Sequence, residues 1–244
     1  MNNFLNRLKS SPVGILGFSI IIIVFFLSIF SEIISPYDPN QYNLRMRYIP
    51  PFWISGDLNF ILGTDQLGRD MLSRLIYGTR ISVIVGIGGV IVSMVIGVFI
   101  GLICGFYRGI IDAILSRIID TLMSIPFILL AISIVGMVGI SGNDSLIVII
   151  IVLGLTGWIT FARVIRAEVL SIREKEYVES AYAIGQTNFL IIIKHILPNV
   201  IPYIIVLSTL QIATVIIAES SLSFLGLGVK PPIVTWGSML ADGR

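Results

Sequence analysis

The chain carries a single histidine, His195, and a single cysteine, Cys104, and these two counts remove most site chemistry. A zinc site needs several His, Cys or carboxylate ligands at close spacing, and neither H-E-x-x-H nor C-x-x-C occurs. Cys104 stands in an apolar run with no second cysteine to pair with, so it gives no indication of redox compartment. A Ser–His–Asp set would have to be built on His195, which lies beside Lys194 at the base of an apolar run. No G-x-x-x-x-G-K-[ST] is present, so that phosphate-cradling device is missing as well. What remains is a polar stretch from Arg163 to His195. There Glu168, Glu174, Glu176 and Glu179 alternate with Arg166, Arg173 and Lys175 to give a helical polar face. Gly185 interrupts that pattern and permits a sharp change of direction between two short helices. Pro198 can start the helix that follows, where a missing N–H costs little. On pattern alone the stretch is equally a solvated helical hairpin with no partner.

The elements that must position this stretch are apolar. Of the 244 residues 56% are hydrophobic and 12% charged, and mean hydropathy is +0.99. A soluble domain carries about 25% charged residues, so little of this surface is meant for water. The net charge of +2 is too small for an electrostatic nucleic-acid binder. Five runs approach the ~20 residues needed to cross hydrocarbon without an ionised side chain. They are Val13 to Ser31, Ile81 to Tyr107, Thr121 to Asn143, Ser145 to Ala162, and Ile196 to Ala218. The first is longer than a signal-peptide core and lacks an A-x-A-like site, so it reads as a retained span. Transmembrane strands would be ~10 residues and alternate in polarity, which these runs do not. No ionisable group stands inside any run; Glu32 and Glu219 lie at the ends. An ion-coupled transporter usually keeps one within the membrane, so that class is disfavoured, although backbone carbonyls can hold sodium.

Five spans place the termini on opposite sides. With the N-terminus inside, the inner segments hold nine of the 16 basic residues: Arg7, Lys9, Arg108, Arg117, Arg163, Arg166, Arg173, Lys175 and Lys194. The short Gly139–Asp144 turn on the other side has none, and short loops decide orientation. Three segments follow. Residues 1–34 hold the cytoplasmic start and first span, 35–80 an external loop, and 81–244 a core with the cytoplasmic loop 163–197. Within the external loop, residues 35–64 are rich in Pro, Tyr, Asn and Asp, and Gln66 to Tyr77 predicts an amphipathic interfacial helix with an Asp70–Arg74 pair. Gly97, Gly101 and Gly105 form a G-x-x-x-G stripe, which predicts close helix packing in lipid.

Glu179-Ser180-Ala181, then Gly185, then Leu197-Pro198 resemble the E-A-A-x3-G-x9-I-x-L-P loop of bacterial and archaeal ATP-binding-cassette (ABC) importer permeases. Ser180 and His195 depart from the general pattern, although H-I-L-P-N from His195 is usual in one subfamily. That subfamily is the C-type permease of dipeptide, oligopeptide and nickel importers. SPYDPN around Pro36, LGTDQLGRDMLSRLIYGTRIS from Leu62, DTLMSIP from Asp120 and SLSFLGLGVKPPIVTWGSML from Ser221 resemble it too, in the expected order.

The resemblance implies an all-α polytopic transmembrane bundle of the type I ABC importer permease kind, with no cofactor and no catalysis of its own. It also implies partners: a second, related permease, two ATP-binding subunits and an extracytoplasmic substrate-binding protein. Glu179, Ser180, Ala181, Gly185, His195, Leu197 and Pro198 are the implied coupling positions, Glu179 facing the ATPase and the small residues allowing close docking. Peptides are the implied cargo, with nickel chelates as the alternative. An ion-driven secondary transporter and a non-transporting subunit are the rival classes. Family members add a sixth span beyond W-G-x-M-L, whereas this sequence stops at Arg244, so five spans are expected here. No substrate-pathway residue is readable from runs this uniformly apolar.

Overall fold

Hydrocarbon offers no partners for backbone N–H and C=O groups, so the apolar runs satisfy them internally as helices. The computed structural model describes residues 11–139 and 144–243. Arg7, Lys9 and residues 140–143, the last of which hold most of the expected 139–144 turn and the end of the third expected span, lie outside that description. The described helices are α1 Pro12–Ile29, α2 Met71–Tyr107, α3 Ile110–Met123, α4 Phe127–Val138, α5 Ser145–Arg173, α6 Glu176–Ala183, α7 Asn188–Phe224 and α8 Trp236–Asp242, with a few single turns between them. Among the described residues the extended structure is one bridge, Thr64 to Asp70.

Helices α1, α2, α5 and α7 are each long and apolar enough to cross a membrane, and α3 and α4 meet at a bend of 93°. The expected straight span from Thr121 is therefore corrected. Pro126 is the cause. It has no N–H to donate, it disfavours helix at the residue before it, and it takes an extended ψ of 127°.

The chain divides into two compact units, one running to Ile84 and resuming at Ser223, the other Val85–Leu222. In the second unit, the glycine stripe of α2 lies on α5. A Cβ on Gly97 would stand 2.4 Å from Phe161 Cβ, one on Gly101 2.8 Å from Ile165 Cβ, and one on Gly105 2.6 Å from Val169 Cβ. Both sets of numbers rise together, so α2 and α5 run parallel. Contacts of Gly86 with Ile216 and of Met94 with Ser208 run the other way, so α7 is antiparallel to α2. A chain that leaves α2 at one side and enters α5 at the other has to recross between them. The bent pair α3–α4 is thus one broken span, and five crossings result. Helix α5 is the most buried of the spanning helices, and α3, α4 and α6 all pack on it.

In the first unit, residues 43–49 run against 64–67. The Tyr48 N–H donates to Asp65 O at 3.3 Å and the Thr64 N–H to Ile49 O at 3.0 Å. The expected separate helix from Gln66 to Tyr77 is not formed. Helicity begins at Met71 and continues through the span for 37 residues, about 55 Å. Gly78 could have broken it, but the Trp236 ring fills its place, 2.9 Å from where a Cβ would be. The Trp236 indole also donates to Leu75 O at 3.2 Å. The expected Asp70–Arg74 pair is absent as well. Asp70 caps α2 by accepting from the Ser73 N–H at 2.8 Å and the Ser73 hydroxyl at 2.6 Å.

Candidate functional site

Charged residues displace apolar ones along α5 beyond Ala162, and at Glu174 the chain turns. Lys175 is extended, with ψ 143°, and α6 follows. Helix α6 is amphipathic: Val178 and Ala181 are buried in a cluster with Ile165, Val169 and Ile172 of α5 and Ile191 of α7. The outer face carries Tyr177, Glu179, Ser180 and Tyr182, all exposed. Beyond it, Ile184 and Phe189 are 74% and 73% exposed, large apolar groups on an otherwise polar hairpin.

The hairpin ends at Gly185, whose φ of +79° is the left-handed region that a glycine occupies without strain. Nothing lies within 4 Å of a Cβ placed there, so conformation and not space requires the glycine. Thr187 is extended, and α7 starts at Asn188 with a π turn over Ile192–Ile196, where the Leu197 N–H donates to Ile192 O. His195 lies in that turn. Its Nε2 is 3.0 Å from Gln186 Oε1, and its carbonyl accepts from the Asn199 side-chain amide at 2.7 Å.

Polar contacts fasten the base of this arrangement. Arg166 grips Asp112 with two hydrogen bonds, Nε to Oδ1 at 2.6 Å and Nη2 to Oδ2 at 2.8 Å. Such a fork is the strong form of a guanidinium–carboxylate contact. Arg173 donates to Phe106 O at 2.5 Å and lies over the Phe106 ring, 5.6 Å from its centroid. Arg108 pairs with Glu174. The turn between α2 and α3 is therefore held to the polar end of α5.

Of the residues singled out in the sequence, Glu179 and Ser180 are on the exposed face, the Ser180 hydroxyl donating to Glu176 O at 2.8 Å. Ala181 lies on the inner face of α6. At 3% exposure its methyl group faces α5, and its small size sets how closely the hairpin sits. Pro198 is the second residue of the α-helical part that follows the π turn, in the first turn where a missing N–H costs little. Leu197 opens the α-helical part. Gln186 and the Asp112–Arg166 pair were not anticipated. A glutamine after a glycine has no periodic signature, and Asp112 and Arg166 are 54 residues apart.

The first unit holds a second charged cluster. Asp65 accepts from Arg69 Nε at 2.6 Å, and Asp242 Oδ2 accepts from Arg69 at 2.8 Å and Arg74 at 2.7 Å. Burial pushes the Asp65 carboxyl up, but the Arg69 backbone N–H, the Arg69 guanidinium and the Leu67 N–H outweigh it and hold its pKa below the ordinary value.

Residues 97–243, from the middle of α2 through the hairpin to α8, match the family described as binding-protein-dependent transport system inner membrane component. The chain belongs to this family. Residues 1–51 match the N-terminal transmembrane domain of oligopeptide transport permease C, so this is a C-type permease subunit of the ABC importer class. The dipeptide transport system permease protein DppC of Bacillus subtilis is 39% identical over 237 residues, 97% of this chain and 71% of that protein. The oligopeptide transport system permease protein OppC of the same organism is 38% identical, over 97% of this chain and 75% of that protein. The glutathione transport system permease protein GsiD of Escherichia coli is 35% identical, over all of this permease and 78% of that protein.

Proposed function

We propose that this permease carries peptides across a cell membrane, with ATP hydrolysed on partner subunits that dock on the α6 hairpin. The observation that carries the reading is the two-sided hairpin. Its inner face is seated on α5 and α7, while Glu179, Tyr182, Ile184 and Phe189 are presented outward. A partner gripping that face would move helices that span the bilayer. ATP binding to the partner would then shift the bundle between inward- and outward-facing states, to the extent that the partner binds one state better.

The chain would pair with a second, related permease, so that two hairpins meet two ATPases, and a binding protein would deliver the cargo on the opposite side. The hairpin and the N-terminus are assigned to the cytoplasm, and residues 35–80 with α8 to the exterior. The ion pairs from Arg69 and Arg74 to Asp242 support placing these last two on one side, as does the even number of crossings between them. Peptide cargo is favoured over nickel chelates by the relatives described above, which are named for dipeptide, oligopeptide and glutathione transport.

The test is to purify the chain with its partner permease and ATPases, then repeat with Gly185→Pro and Glu179→Arg. The expected result is loss of ATPase association and of ATP-dependent dipeptide uptake into proteoliposomes. Unchanged association and uptake in both variants would refute the docking assignment.

A further inference from the structure

One polar contact bridges the mouth of the hairpin. At the end of α6 the Gly185 N–H donates to Tyr182 O at 2.9 Å and the Gln186 N–H to Ala181 O at 3.1 Å. This pairing closes a helix C-terminus and fixes the direction in which the next side chain leaves. Gln186 leaves towards α7, and its Oε1 meets His195 Nε2 at 3.0 Å, the imidazole N–H donating to the amide carbonyl. Both side chains are half-buried. His195 is held in turn by the π turn and by the Asn199 amide on its carbonyl.

The rest of the seat beneath α6 is apolar or aromatic. Val178 and Ala181 lie against Ile165, Val169 and Ile191, the Tyr182 ring is 6.3 Å from the Phe106 ring, and the Tyr177 ring is 6.4 Å from the His195 ring. Apolar burial is non-directional, so it holds α6 close without fixing its angle. A hydrogen bond is directional. A π turn also carries an extra residue in the helix, which is a common place for a helix to be re-aimed.

We infer that Gln186 and His195 form a strut that makes α6 and the start of α7 move together, and that both are positioning residues for coupling. The inference rests on the docking role proposed for the hairpin and adds the route by which its displacement enters α7. Without the strut, α6 rocks on its apolar seat while α7 stays in place.

The experiment uses the full complex in proteoliposomes and measures radiolabelled dipeptide imported per ATP hydrolysed. Gln186→Ala and His195→Ala are expected to keep ATPase association and hydrolysis while lowering that ratio about three- to tenfold. The double variant should be no worse than the poorer single, since both remove one contact. Gln186→Glu keeps an acceptor oxygen and should retain the wild-type ratio. An unchanged ratio in both single variants would overturn the strut, and so would losses that multiply in the double variant. Loss of ATPase association in the alanine variants would overturn it too, by showing a role in forming the hairpin. Absence of ATP-dependent uptake by the wild-type complex would instead sink the proposed function itself.

Discussion

Gly101 of α2 lies against Ile165 of α5 with no room for a side chain between them. A Cβ on Gly101 would stand 2.8 Å from Ile165 Cβ and 2.8 Å from the Ala162 carbonyl oxygen. Because Gly97 and Gly105 meet α5 in the same order, this contact fixes both the closeness and the parallel direction of the two helices.

Gly101→Val should therefore disrupt the bundle. Overpacking at a tight site costs about 1–3 kcal/mol, and the neighbours here include the Ala162 backbone, which cannot rotate away. Gly136→Ala is the control, because a Cβ on Gly136 meets nothing within 4 Å. The detergent-solubilised melting temperature should fall for Gly101→Val and hold or rise for Gly136→Ala. Equal behaviour of the two would contradict the packing described.

Gly185 separates conformation from space. Its φ of +79° is strained for L-residues, and the surrounding volume is open. Gly185→Ala should weaken the hairpin by about 1–2 kcal/mol, and Gly185→Asn by less, because asparagine tolerates the left-handed region. Amide hydrogen exchange across residues 176–191 reports the loss, which should stay local to the hairpin.

The charged cluster of the first unit predicts an asymmetry between two aspartates. The Asp65 side chain is 8% exposed and the Asp242 side chain 34%. Removing the more buried counter-charge strands guanidinium groups that are themselves buried, a loss of about 3 kcal/mol or more. Asp65→Asn should lower the melting temperature more than Asp242→Asn does. The reverse order would show that Asp242 is the main partner of Arg69 and Arg74.

The same cluster has a signed pH dependence. The Asp65 pKa is lowered in the folded chain, so its contribution is full above the unfolded value of about 4 and is lost as pH falls through the folded value. The stability difference between wild type and Asp65→Asn should be flat from neutral pH down to about 5 and shrink below about 4. A difference that grows on acidification would contradict the assignment.

How much was legible in the sequence depended on whether the signal was local. Apolar length and flanking charge located the four long apolar helices, while the run from Thr121 caught only the second arm of the bent pair. The G-x-x-x-G spacing marked the α2 face that meets α5. Gly185 was readable because a glycine in a helical pattern has few local explanations. The bend at Pro126 was passed over because the residues on either side are equally apolar, so hydropathy alone ran through it. Helix α2 was split in two because the amphipathic pattern ends at Tyr77 and Arg80 precedes the apolar run from Ile81, whereas the distant Trp236 ring packs at Gly78 and the helix runs through. The Asp112–Arg166, Arg74–Asp242 and Gln186–His195 contacts join positions with no fixed spacing, so no periodicity could announce them.

The account depends most on the hairpin facing the ATPase side of the membrane. Cys104 is fully buried, so Ser180→Cys introduces the one cysteine exposed on α6, and a membrane-impermeant maleimide can report its side. Labelling in inside-out vesicles with protection in right-side-out vesicles is the predicted result. Labelling of Ser180→Cys from the exterior of right-side-out vesicles would contradict the account.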